Sequence, residues 1–382
     1  MTWAGIARMG GCGDNLIASS VLPGLKKRFD HVEVITNRPW GVVFENNPHI
    51  DRLIYKDDGD ITALDAAANG AAAAWQQWFV RRAKEYDFFQ HLSHSCEMFL
   101  ALFPPQTAFW WDIDARREFC NRSYLEVVHK ICRVPYEEIA PGFFPTAEER
   151  NIAQDFLAAG IRSKAPYDRP EAPESRSGPV IAWVCAGTRV DKYHRRGGLA
   201  VARLINELDA TVCLFGGWNK DLAVAQEIEK QVRHMNGDLT GLRTCISPSK
   251  EQDVWPIRRS LTQIQMCDLV ITPDTGPAWA VAALPMPKVM MLSHASAENI
   301  TKHWTNTTTL HADQGRVPCW PCHRLHTDGS TCVANHDNDG PACMADISIE
   351  TIVRAAKAAL GGFVKNPVVA HPSLIEWAEA AQ

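Results

Sequence analysis

The chain has 382 residues, 46% hydrophobic and 22% charged, and its 39 basic and 44 acidic side chains leave a net charge of −5. That balance describes a folded globular protein long enough for two cores. It argues against a disordered polymer and against a broadly basic nucleic-acid binder, so nucleic acid is not an expected partner.

The first residues enter a strand pattern at Trp3–Arg8 without the basic and long apolar regions of a secretory leader. No stretch approaches the ~18 consecutive apolar residues of a membrane helix. A cytoplasmic protein without a membrane span is expected, with at most transient contact at a membrane surface. In that setting the twelve cysteines do not form a secreted disulfide framework, and Cys185, Cys213 and Cys267, each in an apolar run, are expected in the core.

In chain order, "WAGIAR" predicts a strand, residues 10–29 ("GGCGDNLIASSVLPGLKKRF") a loop and then a helix, and "VEVIT" at Val32–Thr36 a second strand. "RLIYK" and "YDFFQHL" continue the series. Ala63–Lys84 has Trp75, Trp78, Phe79 and Arg82 at helical spacing. The tract onward to Gly160 is expected to elaborate this first domain, with Phe88, Phe89, Phe103, Phe109, Trp110 and Trp111 in its core or lining a cleft. "SKAPYDRPEAPESRSGP", residues 163–179, is proline-, serine- and charge-rich and predicts a linker.

Beyond it strands and helices alternate: strand "VIAWVCAG", helix "LAVARLINEL", strand "TVCLFGG", helix Asp221–His234, helix "LTQIQMC", strand "LVITP", helix "AWAVAAL", strand "KVMML". This alternation predicts a second doubly wound domain over 180–347, followed by a helix to Leu360 and a tail, 348–382 in all. The fold class is α/β, with two Rossmann-like domains, 1–162 and 180–347, expected to face one another across a cleft. Ligands of such sheets bind at the carboxyl ends of the strands, so the loops after the strands hold the candidate residues.

Three of those loops belong to the second domain. In "ITPDTGPAW" a strand gives way to Asp274, Thr275 and Gly276, with Pro277 suited to the first helical turn. Such a loop either caps its helix through Asp274 or Thr275 or offers amides and a hydroxyl to an anion. "CAGTRVDKYHRRGG" carries Thr188, Arg189, Lys192, Arg195 and Arg196, either a solvated basic loop or cations facing that anion. "FGGWNKD" places Gly216 and Gly217 at a strand end ahead of Asp221, either a plain turn or a bed for a nucleoside with Asp221 near a ribose hydroxyl.

The first loop, residues 10–15, lacks the G-x-G-x-x-G order, because Leu16 stands where the third glycine belongs. Asp14 either caps its own helix or presents a carboxylate that accepts a proton from an attacking hydroxyl. An unperturbed aspartate is a weak base at neutral pH, so the second role needs a special setting.

"GDNLIASSVLPGLKKRF" and "VEVITNRPWGVVFENNPHIDRLI", followed in order by "GTRVDKYH", "LFGGWNKD" and "CDLVITPDTGPAW", resemble the ADP-heptose:lipopolysaccharide heptosyltransferases, glycosyltransferase family 9. The resemblance spans most of the chain and is weakest over Asp57–Arg133. It implies a GT-B fold and an inverting sugar transfer from a nucleotide-diphosphate donor, an ADP-linked heptose, to a hydroxyl on a glycan or protein. It places the catalytic aspartate at Asp14, phosphate-contacting residues at Thr188 and Lys192, and the diphosphate loop at Asp274, Thr275 and Gly276. Lys192 joins Asp14 as a catalytic candidate. Gly13, Arg189, Gly216, Gly217, Asp221 and Trp279 complete the expected donor-binding set. Trp279 stands where the family has a histidine, and the acid of the nucleoside loop is displaced.

"CWPCHRLHTDGSTCVANHDNDGPACM" holds Cys319, Cys322, Cys332 and Cys343, a C-x2-C pair plus two more thiols with His323, His326 and His336 between them. The spacing suits a tetrahedral zinc or iron without an open position, hence a structural role; the alternatives are disulfides, which a cytoplasmic setting disfavours, or reduced thiols. The segment resembles that of the autotransporter heptosyltransferases, which hold an iron through four cysteines. Two further readings stay open: a nucleotide-sugar epimerase on a GT-B-like scaffold, and a noncatalytic sugar-nucleotide-binding protein.

Overall fold

The computed structural model describes residues 1–56, 77–93, 95, 107–158, 178–185, 187, 192–217, 219–253, 255–325, 332, 335–336 and 340–361. Two compact units emerge, one from Met1–Met98 with Ser123–Phe144, the other from Phe99–Arg122 with Pro145–Gln382. Residues 107–122 and 145–158, expected within the N-terminal domain, thus pack with the second unit. The expected linker lies outside the described residues apart from Gly178 and Pro179. Of the helix expected over 63–84, residues 77–83 are described and helical.

In the first unit, β1 (Trp3–Ala7), β2 (His31–Thr36), β3 (Arg52–Tyr55) and β4 (Phe88–His91) form a parallel sheet in the order β3-β2-β1-β4. Ala4 faces Val32 on one side and Phe88 on the other, so β1 is central. Its alanines and isoleucine are fully buried, as a central parallel strand covered on both faces requires. α1 (Cys12–Ser19) follows β1 directly, then α2 (Leu22–Lys26), and α4 (Tyr124–Ile131) packs against α1.

The second unit is built on six parallel strands: β5 (Val180–Val184), β6 (Thr211–Phe215), β7 (Leu242–Cys245), β8 (Leu269–Pro273), β9 (Lys288–Leu292) and β10 (Thr307–His311). Their order is β7-β6-β5-β8-β9-β10, the doubly wound order in which the chain reverses direction across the sheet between β5 and β8. Alternate residues feed opposite faces: Ile181 and Trp183 enter one buried cluster, Ala182 and Val184 the other. Each of β5, β6, β7 and β8 is followed by a helix of the expected kind. α6 spans Gly197–Leu208, α7 Lys220–Asn236, α8 Ile257–Gln265 and α9 Gly276–Val281. α7 ends where Gly237 turns left-handed at φ 81°, the usual stop for a helix. The last described helix, Ile349–Ala359, starts at Ser348, whose hydroxyl accepts from the Thr351 amide. Ahead of the first strand of this unit lie α3 (Ile113–Cys120) and α5 (Ala147–Ala158). Among the described residues no helix is long and apolar enough to cross a membrane.

Candidate functional site

Each sheet has one topological switch point, and the functional candidates gather there. In the first unit it lies between β1 and β4. The chain leaves β1 at Arg8, whose side chain is 1% exposed and bound on two sides. Its Nη1 donates to the Leu92 carbonyl just past β4 at 3.0 Å, and its Nη2 meets Asp14 Oδ1 at 2.9 Å. Asp14 Oδ2 in turn accepts from the Gly11 amide at 3.0 Å. Asp14 therefore caps its own helix and also presents a carboxylate, 32% exposed, at the carboxyl edge of the sheet. The guanidinium beside it fixes the direction in which the carboxylate points. Gly13 lies next to it in the first turn of α1. Cys12, buried beside Asp14, has its thiol pushed up to about 12 by burial and then by the carboxylate, so it is no nucleophile at neutral pH.

The switch point of the second unit lies between β5 and β8, and there the loops after those strands touch. Gly187 has φ 97°, and a Cβ built on it would stand 3.0 Å from Thr275 Cγ2, so only glycine gives this approach. From the same loop the Lys192 ammonium donates to the main-chain carbonyl of Asp274 and lies 3.2 Å from its Oδ2. The other oxygen, Oδ1, accepts from Trp279 Nε1 at 3.3 Å. Trp279 is 6% exposed and packs edge-on against Trp304 with 4.9 Å between ring centroids. It faces the interior rather than an open donor bed.

Thr275 is the N-cap residue of α9, but its side chain makes no cap bond to that helix. Its hydroxyl donates to the Pro273 carbonyl at 3.3 Å, and Asp274 is held by Lys192 and Trp279. The capping alternative is thus not realised. Among the described residues the amide at Gly276 has no side-chain cap, and it lies near the Lys192 ammonium, a pairing that suits an oxyanion.

Asp221, the residue expected near a ribose hydroxyl, braces two loops. Buried, it accepts from the Gly187 amide at 2.8 Å and the Gly217 amide at 2.7 Å, tying the β5 loop to the β6 loop. Burial raises its pKa while the two amides pull it back. A Cβ on Gly216 would come within 2.5 Å of Asp221 Cβ, so that glycine makes room for the brace. Thr188 and Arg189 lie outside the described residues.

Sequence reasoning missed Arg8 and Gly187. The available signals were a cation ending an apolar strand in "WAGIAR" and a glycine ending "VCAG".

In the cysteine segment, Arg117 Nη2 donates to the carbonyls of Pro318 and Trp320 at 2.7 and 2.8 Å, and Arg116 Nε to that of Cys322 at 2.9 Å. α3 thereby fixes the C-x2-C turn. Cys319, Cys322, Cys332 and Cys343 are half-buried. Among the described residues no group of three or more His, Cys, Asp or Glu side chains is gathered for a metal.

No protein-family model and no curated protein matches the sequence. Solved structures do match. The family 9 glycosyltransferase of Veillonella parvula is similar at TM-score 0.60 and 15% identity, over 94% of this chain and 97% of that one. The ADP-heptose LPS heptosyltransferase II of E. coli is similar at TM-score 0.56 and 15% identity, over 94% and 98%. The fold is GT-B. The dodecameric iron-containing heptosyltransferase TibC, solved with ADP-D-β-D-heptose, is similar at TM-score 0.54 and 11% identity, over 95% of this chain and 78% of that one.

Proposed function

We propose that this GT-B chain is an inverting glycosyltransferase that moves a heptose from an ADP-linked donor to a hydroxyl of a glycan or protein acceptor in the cytoplasm. The observation that carries the reading is the chemistry divided between the two switch points: an arginine-held carboxylate in one sheet, and an ammonium at a helix start with no side-chain cap among the described residues in the other. Inverting transfer needs these two groups, because charge develops on the acceptor oxygen and on the departing diphosphate. The nucleotide sugars and the family named for the similar structures support the donor class.

In this reading the acceptor hydroxyl attacks the anomeric carbon and its proton passes to Asp14. The anomeric carbon to phosphate-oxygen bond breaks with inversion, and the bonding pair leaves on ADP. Lys192, Thr275 and the Gly276 amide take the diphosphate charge. Arg8 keeps Asp14 oriented, and Asp221 holds the β5 and β6 loops together so that Lys192 is presented. Gly13, Thr188, Arg189, Gly216 and Gly217 remain proposed donor-side positions. Cys319, Cys322, Cys332 and Cys343 are proposed as ligands of a structural zinc or iron on the strength of their spacing, and the iron named for TibC supports that reading. Among the described residues these thiols are not gathered into one donor set. Elemental analysis of the purified protein tests it, and a metal-free chain after reconstitution overturns it.

The functional test is calorimetric binding of ADP, UDP, GDP and CMP and their sugar conjugates, followed by product analysis with the wild type and Asp14→Asn. Selective ADP-sugar binding is expected. Asp14→Asn is expected to lower transfer about 100-fold or more with ADP affinity retained, the scale of a lost general base. Preference for another nucleotide discards the ADP donor. Near-normal turnover of Asp14→Asn overturns the assignment of the base.

A further inference from the structure

We infer that Trp279 is a positioning residue that sets how Lys192 meets a diphosphate; the inference rests on the donor reading above. The indole is buried, and its Nε1 points at Asp274 Oδ1 from 3.3 Å. The opposite oxygen, Oδ2, faces Lys192 Nζ at 3.2 Å, and the Asp274 carbonyl takes a second proton of the same ammonium. Asp274 thus stands as a bridge between a neutral donor and a cation.

Two properties of the groups give the bridge a consequence. An indole N–H only donates, so Oδ1 stays turned toward Trp279 and the carboxylate does not swing round to chelate the ammonium with both oxygens. An ammonium has three N–H donors, and Asp274 occupies two of those of Lys192. The third has no partner among the described residues and is left for an incoming phosphate oxygen. The same pinning restrains a negative charge that would otherwise lie loose beside a diphosphate. Trp304, packed edge-on against the indole, fixes the ring from the other side. In the position where the resembled family carries a histidine, this chain therefore uses a buried donor that acts through Asp274 and not on the donor substrate itself.

The test compares ADP with adenosine on the full chain, because only ADP carries the group that Lys192 meets. Trp279→Phe removes the N–H and keeps an aromatic ring against Trp304. It is expected to weaken ADP binding about three- to tenfold, the scale of one ordinary net hydrogen bond, with adenosine affinity within about twofold of the wild type. Trp279→His, which restores an N–H, is expected to recover part of the loss. ADP and adenosine affinities that fall together in Trp279→Phe reduce the tryptophan to a packing role and overturn the inference, as does an unchanged ADP affinity. Where Trp279→Phe does not fold, Asp274→Asn breaks the bridge without touching the indole packing. It is expected to shift the ratio of ADP to adenosine affinity, and an unchanged ratio overturns the inference. A wild type that binds adenosine as tightly as ADP removes the diphosphate site and this role with it. One that binds neither overturns the donor reading first.

Discussion

Removal of the Arg8 guanidinium isolates what the first switch point contributes. Arg8→Met keeps a long apolar stem in a fully buried slot but leaves the Leu92 carbonyl with the Ser95 amide as its remaining donor and removes the guanidinium from Asp14. At 2.9 Å the gross attraction is about 6 kcal/mol for an effective dielectric near 20. Desolvation of the buried guanidinium takes back most of that, and Asp14 is about one-third exposed, which screens the remainder. A net coupling of about 1–2 kcal/mol is left. The lost hydrogen bond to Leu92 adds about 1–3 kcal/mol that does not depend on Asp14. Denaturant unfolding of the wild type, Arg8→Met, Asp14→Asn and the double variant separates the two quantities. Arg8→Met is expected to destabilise by about 2–5 kcal/mol, of which about 1–2 kcal/mol disappears when Asp14 is already asparagine. A coupling below about 0.5 kcal/mol refutes the idea that the arginine holds the carboxylate.

Two other predictions concern the second unit. Burial pushes the Lys288 ammonium down to about 7 from its ordinary 10.5, while its nitrogen donates to the carbonyls of Leu284 and Met286 at 2.6 and 2.8 Å. Between those two pH values the unfolded chain holds a proton that the folded chain has released, so unfolding free energy is expected to rise with pH across that window, by at most about 1.4 kcal/mol per unit. Urea melts at pH 7 and 9 check this, and a slope that survives in Lys288→Met assigns it elsewhere. Gly187→Ala combines a left-handed φ with a methyl against Thr275, so a loss of about 1–3 kcal/mol and weaker ADP binding are expected; a variant equal to the wild type in both removes the close approach of the two loops from the account.

The central strands were legible in the sequence because each is a nearly continuous apolar run. Thr211–Phe215, Leu269–Pro273 and Lys288–Leu292 are buried at every position, and each lies in a predicted run. β7 and β10 escaped notice. They are the edges of the six-stranded sheet, with only two buried residues in "LRTC" and one in "TTTLH", so neither period-2 alternation nor a continuous apolar run marks them. Helix bounds shifted for a related reason: α8 begins at Ile257, four residues before the predicted "LTQIQMC", because its first turn is set by Pro256 and packing rather than by a run of apolar residues.

At the site, residue type was more legible than residue task. Asp14, Lys192, Asp274 and Thr275 stand out because an acid, an amine or a hydroxyl just after a strand has few reasons to be there, and the structure puts all four at the switch points. What the sequence hides is which polar atoms are already used. Asp221 and Asp274 look alike as acids near glycines, yet one spends both oxygens on backbone amides of two loops and the other is strung between an ammonium and an indole. Arg8 is the converse case, a cation that a linear reading places at the end of a strand and that only the pairing of β1 with β4 brings between Leu92 and Asp14. Tasks of this kind depend on contacts between segments far apart in the chain. Substitutions that keep charge and change geometry therefore separate the roles: Asp221→Glu moves a brace out of register and is expected to loosen the β5 loop, whereas a reading of Asp221 as a ribose contact alone leaves loop stability untouched.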